Sequence, residues 1–148
     1  MTKYILAFTI LWIFGGLVID AAFDKNAAMD DFMAKLEECK TDAGATDADV
    51  KDILGKVPAS TAEGKCLRSC IMKKYEMMTV NGTFVPAIAI KHAETFSAGD
   101  AEKIKKAKEV VNTCARIKVS TDHCQAAEQY GKCFMKHAMD RDLTQFKV

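Results

Sequence analysis

The chain has 148 residues, with 21 basic and 20 acidic side chains and a formal net charge of +1. A charge this close to zero gives no electrostatic basis for binding nucleic acid or an anionic surface. Two prolines and eight glycines are few for a many-stranded sheet, so the composition favours helices, and the length suits one domain.

The N-terminus has the pattern of a secretory signal peptide. Lys3 precedes an apolar run over residues 4–19, and the small residues Ala21 and Ala22 follow it. A membrane anchor is the alternative, but the run has 16 residues where a spanning helix needs roughly 20, and no basic stop-transfer cluster follows. We expect cleavage after Ala21 or Ala22, which makes residues 1–22 the signal peptide and residues 23–148 one mature domain, secreted and extracellular.

Apolar residues at three- and four-residue steps predict the first two helices of the mature chain. The first covers residues 24–43 and ends at Gly44, where a left-handed residue is cheapest. The second is short and starts at Thr46, with the carboxylate of Asp49 three residues on, which is the spacing of a capping box.

The third helix begins with a second capping pattern at Ser60 and Thr61 and is predicted to reach about Met78. Asn81-Gly82 indicates a turn, after which Pro86 is suited to the first turn of a fourth helix.

Two more helices complete an all-α pattern. Asp100 is a candidate N-cap for the fifth helix, and Ser120 or Thr121 for the sixth. A tail over residues 140–148 follows the sixth helix.

Six cysteines, an even number, indicate disulfides in an exported chain. Fifteen pairings are possible for six cysteines. Cys124 and Cys133 are nine residues apart on one predicted helix, about 13 Å, beyond the ~7 Å limit between bridged Cα atoms. Cys66 and Cys70 both point outward from one face of the third helix and are poor partners for each other. Excluding both bridges leaves ten pairings open.

The spacings Cys66-x3-Cys70 and Cys124-x8-Cys133, with the helix pattern and the leader, resemble the insect pheromone-binding and general odorant-binding protein family. Fly members of that family have segments similar to those at residues 44–47, 58–61, 64–67 and 130–134, and the resemblance spans essentially the whole mature chain. It implies a compact six-helix, three-disulfide fold around an apolar cavity. The implied bridges are Cys39 to Cys70, Cys66 to Cys124 and Cys114 to Cys133.

The resemblance also implies reversible carriage of small hydrophobic ligands, odorants in particular, through an aqueous fluid such as sensillar lymph. The expected partners are a hydrophobic volatile ligand and an odorant receptor. No cofactor, nucleic acid or stable membrane insertion is expected. The protein is expected to be a monomer or a weak homodimer. Tyr75, Tyr130 and Thr113 are candidates for one hydrogen bond to a ligand oxygen. Candidate ligand-binding residues, each of which is also an ordinary core residue, are apolar positions on inward helix faces: Phe32, Leu36, Ile53, Leu54, Leu67, Ile71, Tyr75, Met78, Phe84, Ile88, Val111, Ala115, Phe134 and Phe146.

Other functions have weaker support. The sequence has no Gly-x-Ser-x-Gly elbow, no His-Glu-x-x-His and no glycine-rich phosphate loop, so we do not expect an enzyme. A zinc site at Cys66, Cys70, His123 and Cys124 is conceivable, but oxidising export would pair those thiols first, so no metal is expected. The remaining alternatives are a helical, disulfide-rich effector that acts on membranes or proteins, and a hydrophobic carrier in a non-olfactory tissue.

Three accessory features are also predicted. Asn81-Gly82-Thr83 is a glycosylation sequon, with a plain Asn-Gly turn as the alternative. The apolar tail residues Leu143, Phe146 and Val148 are candidates for a lid over the cavity, with a frayed end as the alternative. Histidines at 92, 123 and 137 would make ligand release sensitive to acid, unless they are ordinary surface residues.

Overall fold

The computed structural model describes residues 23–143, and the predicted signal peptide lies outside them. The described residues form six helices and one isolated bridge, between Met78 and Phe84, which confirms the all-α fold class. The helices are α1 (Lys25–Ala43), α2 (Asp47–Leu54), α3 (Ala62–Lys74), α4 (Pro86–Phe96), α5 (Ala101–Cys114) and α6 (His123–Asp140).

Most helix ends follow local capping chemistry. Thr46 and Asp49 form the predicted capping box at α2, and Gly44 ends α1 in the left-handed region with φ 64°. The prediction for α6 was wrong: its N-cap is Asp122, whose carboxylate accepts from the backbone N–H of Gln125 at 2.8 Å. The hydroxyl of Ser120 instead accepts from the N–H of Asp122 at 3.1 Å, so it supports the cap without being one.

Helix α3 ends four residues before the predicted limit at Met78. Glu76 adopts a left-handed conformation with φ 57°, which breaks the helical path. The backbone N–H groups of Met77 and Met78 then turn back to the carbonyl of Met72, at 2.9 and 3.2 Å. The returning chain buries Met78 to 2% exposure beside Phe84.

Two apolar clusters form the core, and α3 contributes to both. One cluster joins α1 to α3 through Leu36, Cys39, Leu67 and Ile71, with α2 packed against it. The other gathers residues from α3, α4, α5 and α6 and the turn before α4; its buried members are Met72, Met78, Phe84, Ala89, Val111, Ala126, Ala127 and Tyr130. α3 therefore holds the two halves of the fold together.

Three disulfides connect four of the six helices, and they are the pairs that the resemblance implied. Cys39–Cys70 joins α1 to α3, Cys66–Cys124 joins α3 to α6, and Cys114–Cys133 joins α5 to α6. Their Cα–Cα distances are 5.6, 4.4 and 5.8 Å. Each such bridge typically contributes about 2 to 4 kcal/mol by restricting the unfolded chain. α4 has no cysteine; besides packing, an ion pair between Glu94 and Lys108 of α5, at 2.7 Å, and a hydrogen bond from His92 to the carbonyl of Tyr75 hold it in place.

Candidate binding cavity

A cavity of about 460 Å³ lies between α1 and α4, with further walls from α3, α5 and Leu143, which follows α6. Its volume is within the range of about 300 to 1,000 Å³ that small-molecule sites occupy. The lining consists of Phe23, Lys25, Ala28, Met29, Phe32, Ile71, Tyr75, Met77, His92, Ala93, Phe96, Ser97, Ala107 and Leu143.

Helical periodicity places one face of α1 on the cavity. Lys25, Ala28, Met29 and Phe32 stand at positions i, i+3, i+4 and i+7, which share one side of a helix. Ala28 on α1 and Ala93 on α4 have side chains too short to reach across the space between the two helices. The cavity therefore lies where the side chains of the two helix faces do not pack into each other.

Aromatic rings close the gap at two places. Phe23 and Phe96 meet edge-on at 5.1 Å between ring centroids and bridge the start of α1 to the end of α4. Tyr75 lies 6.5 Å from Phe32 in a stacked arrangement and 5.6 Å from His92 in an edge-on one. Aromatic pairs of this geometry contribute about 0.5 to 1.5 kcal/mol beyond their burial.

Most polar groups of the lining are already bonded to the protein. The Tyr75 hydroxyl donates to the carboxylate of Asp31 at 3.0 Å, and burial together with that carboxylate raises the pKa of Tyr75 to about 12. The Ser97 hydroxyl donates to the carbonyl of Ala93 at 2.7 Å. Among the lining residues that the structure describes, Lys25 has the one permanent charge, and none is acidic. The surface offered to a ligand is therefore mainly apolar.

Three of the predicted ligand-binding residues line this cavity: Phe32, Ile71 and Tyr75. The others are not among its lining residues. Leu36 and Leu67 are buried in the cluster of α1 and α3, and Ile53 and Leu54 pack against that cluster. Met78, Phe84 and Val111 are buried in the second cluster, and the partly buried Ala115 and Phe134 pack against it. Ile88 is half-buried on α4, and Phe146 lies outside the described residues.

The hydrogen-bonding candidates also have other roles. The Tyr75 hydroxyl is engaged by Asp31, and the Thr113 hydroxyl donates to the carbonyl of Glu109 at 2.8 Å. Tyr130 is 6% exposed and belongs to the second core cluster. His92 also lines the cavity, although it was predicted only as a group that senses acid and not as a ligand contact.

Several lining residues carried a usable sequence signal. Met29 lies three residues before Phe32 on the same stripe, and Phe96 ends the apolar face of α4. Leu143 is in the predicted tail and does line the cavity, held by a bond from its N–H to the carbonyl of Ala138 at 2.9 Å. The remaining lid residues, Phe146 and Val148, lie outside the described part of the chain.

A second concavity, of about 550 Å³, lies beside two of the disulfides. Its lining is mixed and partly charged: Asp42, Ala43, Cys66, Ser69, Cys70, Lys73, Lys74 and His123. Ser69 is buried there, and its hydroxyl lies 2.9 Å from Nδ1 of His123. This surface is less suited to an apolar ligand than the cavity between α1 and α4.

Other predicted chemistry can be placed as well. Asn81 is exposed in the turn before α4, and attachment of a glycan there stays a prediction. Within residues 23–143, no cluster of histidine, cysteine and acidic side chains is arranged to hold a metal ion, and no helix is long and apolar enough to cross a membrane.

Comparisons with known proteins point to one family. The PBP/GOBP family model matches residues 21–137. General odorant-binding protein 28a of Drosophila melanogaster is 41% identical over 128 residues, which cover 86% of this chain and 90% of that protein. General odorant-binding protein 19d of the same fly is 34% identical over 144 residues, covering 95% of this chain and 96% of that protein. The solved structure of the odorant-binding protein dmelOBP28a from Drosophila melanogaster superposes with a TM-score of 0.73 and 41% identity, covering 81% of this chain and 99% of that one.

Proposed function

Because this chain belongs to the PBP/GOBP family of odorant-binding proteins, we propose that it carries small hydrophobic molecules, including odorants, through an aqueous extracellular fluid such as sensillar lymph. Binding is reversible and non-covalent. The protein acts as a carrier and not as an enzyme. Its main partner is the hydrophobic ligand, which it delivers to a receptor.

The observation that carries this proposal is the apolar cavity between α1 and α4. A ligand that buries roughly 300 Å² of apolar surface there gains about 7 kcal/mol at ~25 cal/mol per Å². The costs of association reduce that gain, so affinities near micromolar are expected. Such affinities suit a carrier, because the ligand has to leave again.

The disulfides support both the proposed extracellular location of the protein and the presence of a stable cavity. All six cysteines are paired, as expected for a protein that folds in an oxidising, secretory compartment. An unfilled cavity forgoes apolar contacts and costs stability. Three bridges outside the cavity offset that cost without occupying it.

Displacement of a fluorescent apolar probe tests the proposal. The mature chain, residues 23–148, is loaded with N-phenylnaphthylamine and titrated with volatile alcohols, aldehydes and ketones of matched chain length. We expect displacement at micromolar concentrations by at least part of the panel. If no volatile displaces the probe, the carrier proposal fails.

A parallel assay separates a carrier from a membrane-active effector. The same protein is added to dye-filled vesicles of neutral and anionic phospholipids. A carrier leaves the vesicles intact, whereas leakage without probe displacement would favour the effector.

A further inference from the structure

His92 lies in the lining of the cavity with one of its two ring nitrogens already bonded. Nε2 is 2.9 Å from the backbone carbonyl oxygen of Tyr75. A carbonyl oxygen only accepts hydrogen bonds, so the proton of the neutral imidazole must lie on Nε2. Nδ1 is then an unprotonated acceptor with a free lone pair.

Two contacts fix the orientation of this imidazole. Tyr75 caps the end of α3, where its N–H donates to the carbonyl of Ile71 at 3.1 Å, so the carbonyl that holds Nε2 is itself held in place. The ring of His92 also packs edge-on against the Tyr75 ring, with an interplanar angle of 90°. Bonds that anchor one ring nitrogen also set the tautomer that the other nitrogen presents.

The second ring nitrogen is available to a ligand. Within residues 23–143, His92 makes no hydrogen bond besides the one through Nε2. The Tyr75 hydroxyl donates its hydrogen bond to Asp31, and the Ser97 hydroxyl donates its hydrogen bond to the carbonyl of Ala93. Nδ1 of His92 is therefore an acceptor without a donor in a mainly apolar lining, and a ligand can supply that donor.

We propose that His92 is the polar contact of this cavity, with Nδ1 accepting a hydrogen bond from a ligand hydroxyl, so that alcohols are preferred over carbonyl compounds and ethers of equal chain length. The inference rests on the proposed carrier function and specifies the ligand class. Aldehydes and ethers have an oxygen that accepts but cannot donate, so it faces the lone pair of Nδ1 without forming a bond. A hydrogen bond of ordinary net strength corresponds to about a five-fold difference in affinity.

A chain-matched series tests this inference. Decanol, decanal and decyl methyl ether compete with N-phenylnaphthylamine on the mature protein at about pH 8. We expect decanol to displace the probe at about one-fifth of the concentration that the other two require. Equal displacement by all three overturns the role of His92 and leaves the carrier function standing, whereas displacement by none overturns the carrier function itself.

Three variants localise the effect. His92→Phe should weaken decanol alone and so abolish the preference. His92→Gln should restore much of it, because an amide N–H can bond the Tyr75 carbonyl while the amide oxygen accepts. His137→Phe is the matched control, since His137 is outside the lining, and it should keep the preference. A preference that persists in His92→Phe overturns the proposal.

A direct readout does not depend on how the variants fold. In the unsubstituted protein, NMR of the imidazole nitrogens should show the His92 proton on Nε2, and decanol should shift the Nδ1 resonance more than decanal does. A proton on Nδ1 in the free protein contradicts the proposal.

Discussion

Arg68 Nε lies 3.0 Å from Glu128 Oε2, and this ion pair joins α3 to α6 with only 12% and 2% of the two side chains exposed. The other carboxylate oxygen of Glu128 accepts from the backbone N–H of Ala59 at 3.1 Å. Arg68 also donates to the carbonyl of Val57. The pair therefore fixes the loop between α2 and α3 against both helices.

Removing one partner of this buried pair should destabilise the fold strongly. Glu128→Ala leaves the Arg68 charge buried without its counter-ion, and we expect a loss of about 3 to 5 kcal/mol in the free energy of unfolding. Lys132→Ala is the matched control, because Lys132 is 55% exposed and lies 3.5 Å from the same carboxylate, and it should cost less than about 1 kcal/mol. Urea denaturation with the disulfides intact measures both, and equal losses would contradict the assignment.

Asp49 should make the protein sensitive to acid. Its carboxylate is 1% exposed and accepts bonds from the Thr61 hydroxyl and from the N–H and hydroxyl of Thr46, the last two at 2.8 Å. These bonds, that of Thr61 first, lower the pKa of Asp49 below its ordinary value of 3.8. The folded state therefore favours the anion, and the stability this provides is present above about pH 4 and is lost as the pH falls further.

Substitution of Asp49 tests that dependence. Asp49→Asn should be less stable than the parent at pH 7 and should lose less of its remaining stability between about pH 4 and pH 2, as followed by helical circular dichroism in urea. Thr61→Ser keeps the hydroxyl and should keep the parent's acid dependence. An identical slope in Asp49→Asn would show that other carboxylates control acid unfolding.

The helix starts were mostly predictable because capping chemistry is local. Thr46 and Asp49 are three residues apart, and that spacing alone specifies their mutual bonds. Helix ends were less predictable where no glycine marks them. Glu76 turns left-handed because the chain beyond it buries Met78, a tertiary reason that no window of sequence around Glu76 contains.

The cavity was harder to predict than the fold. Phe32 and Leu36 are apolar residues one turn apart on α1, and only packing separates their roles: Leu36 is 1% exposed in the core, whereas Phe32 faces the space beside α4. Periodicity finds the inward face of a helix but not what lies opposite it. His92 was identifiable as a polar residue on an apolar helix, yet its free nitrogen depends on the carbonyl of Tyr75, the residue that caps the end of α3.

Tyr75 should ionise late and make the protein sensitive to alkali. Burial and the Asp31 carboxylate raise its pKa from 10.0 to about 12, so the folded state retains a proton that the unfolded chain loses. The stability that this provides is complete below about pH 10 and declines as the pH rises towards about 12.

Tyrosinate absorbance measures this directly. The mature chain contains two tyrosines, and burial also raises the pKa of Tyr130, so the parent should show no ionisation at an ordinary value. Tyr75→Phe should remove one ionisation near pH 12 and flatten the loss of stability above pH 10. A tyrosine that ionises at about 10 in the parent and vanishes in Tyr75→Phe would contradict the prediction.

Filling the cavity should abolish binding without unfolding the protein. Ala93 lines the cavity from α4, and Ala93→Phe places a ring in the space that a ligand would occupy. Because no side chain of residues 23–143 occupies that space, the ring gains apolar burial instead of displacing described neighbours, and the melting temperature should be equal or higher. Probe affinity should fall by roughly ten-fold or more, since the ligand loses the contacts of one cavity wall.

Ala87→Phe is the matched control for this variant. Ala87 is exposed on the same helix, so the substitution adds the same side chain where no ligand contact is expected, and probe affinity should stay at the parent value. Overpacking of a filled core costs about 1 to 3 kcal/mol. A drop in melting temperature for Ala93→Phe together with unchanged affinity would therefore mean that ligands bind elsewhere and that the space between α1 and α4 is not the site.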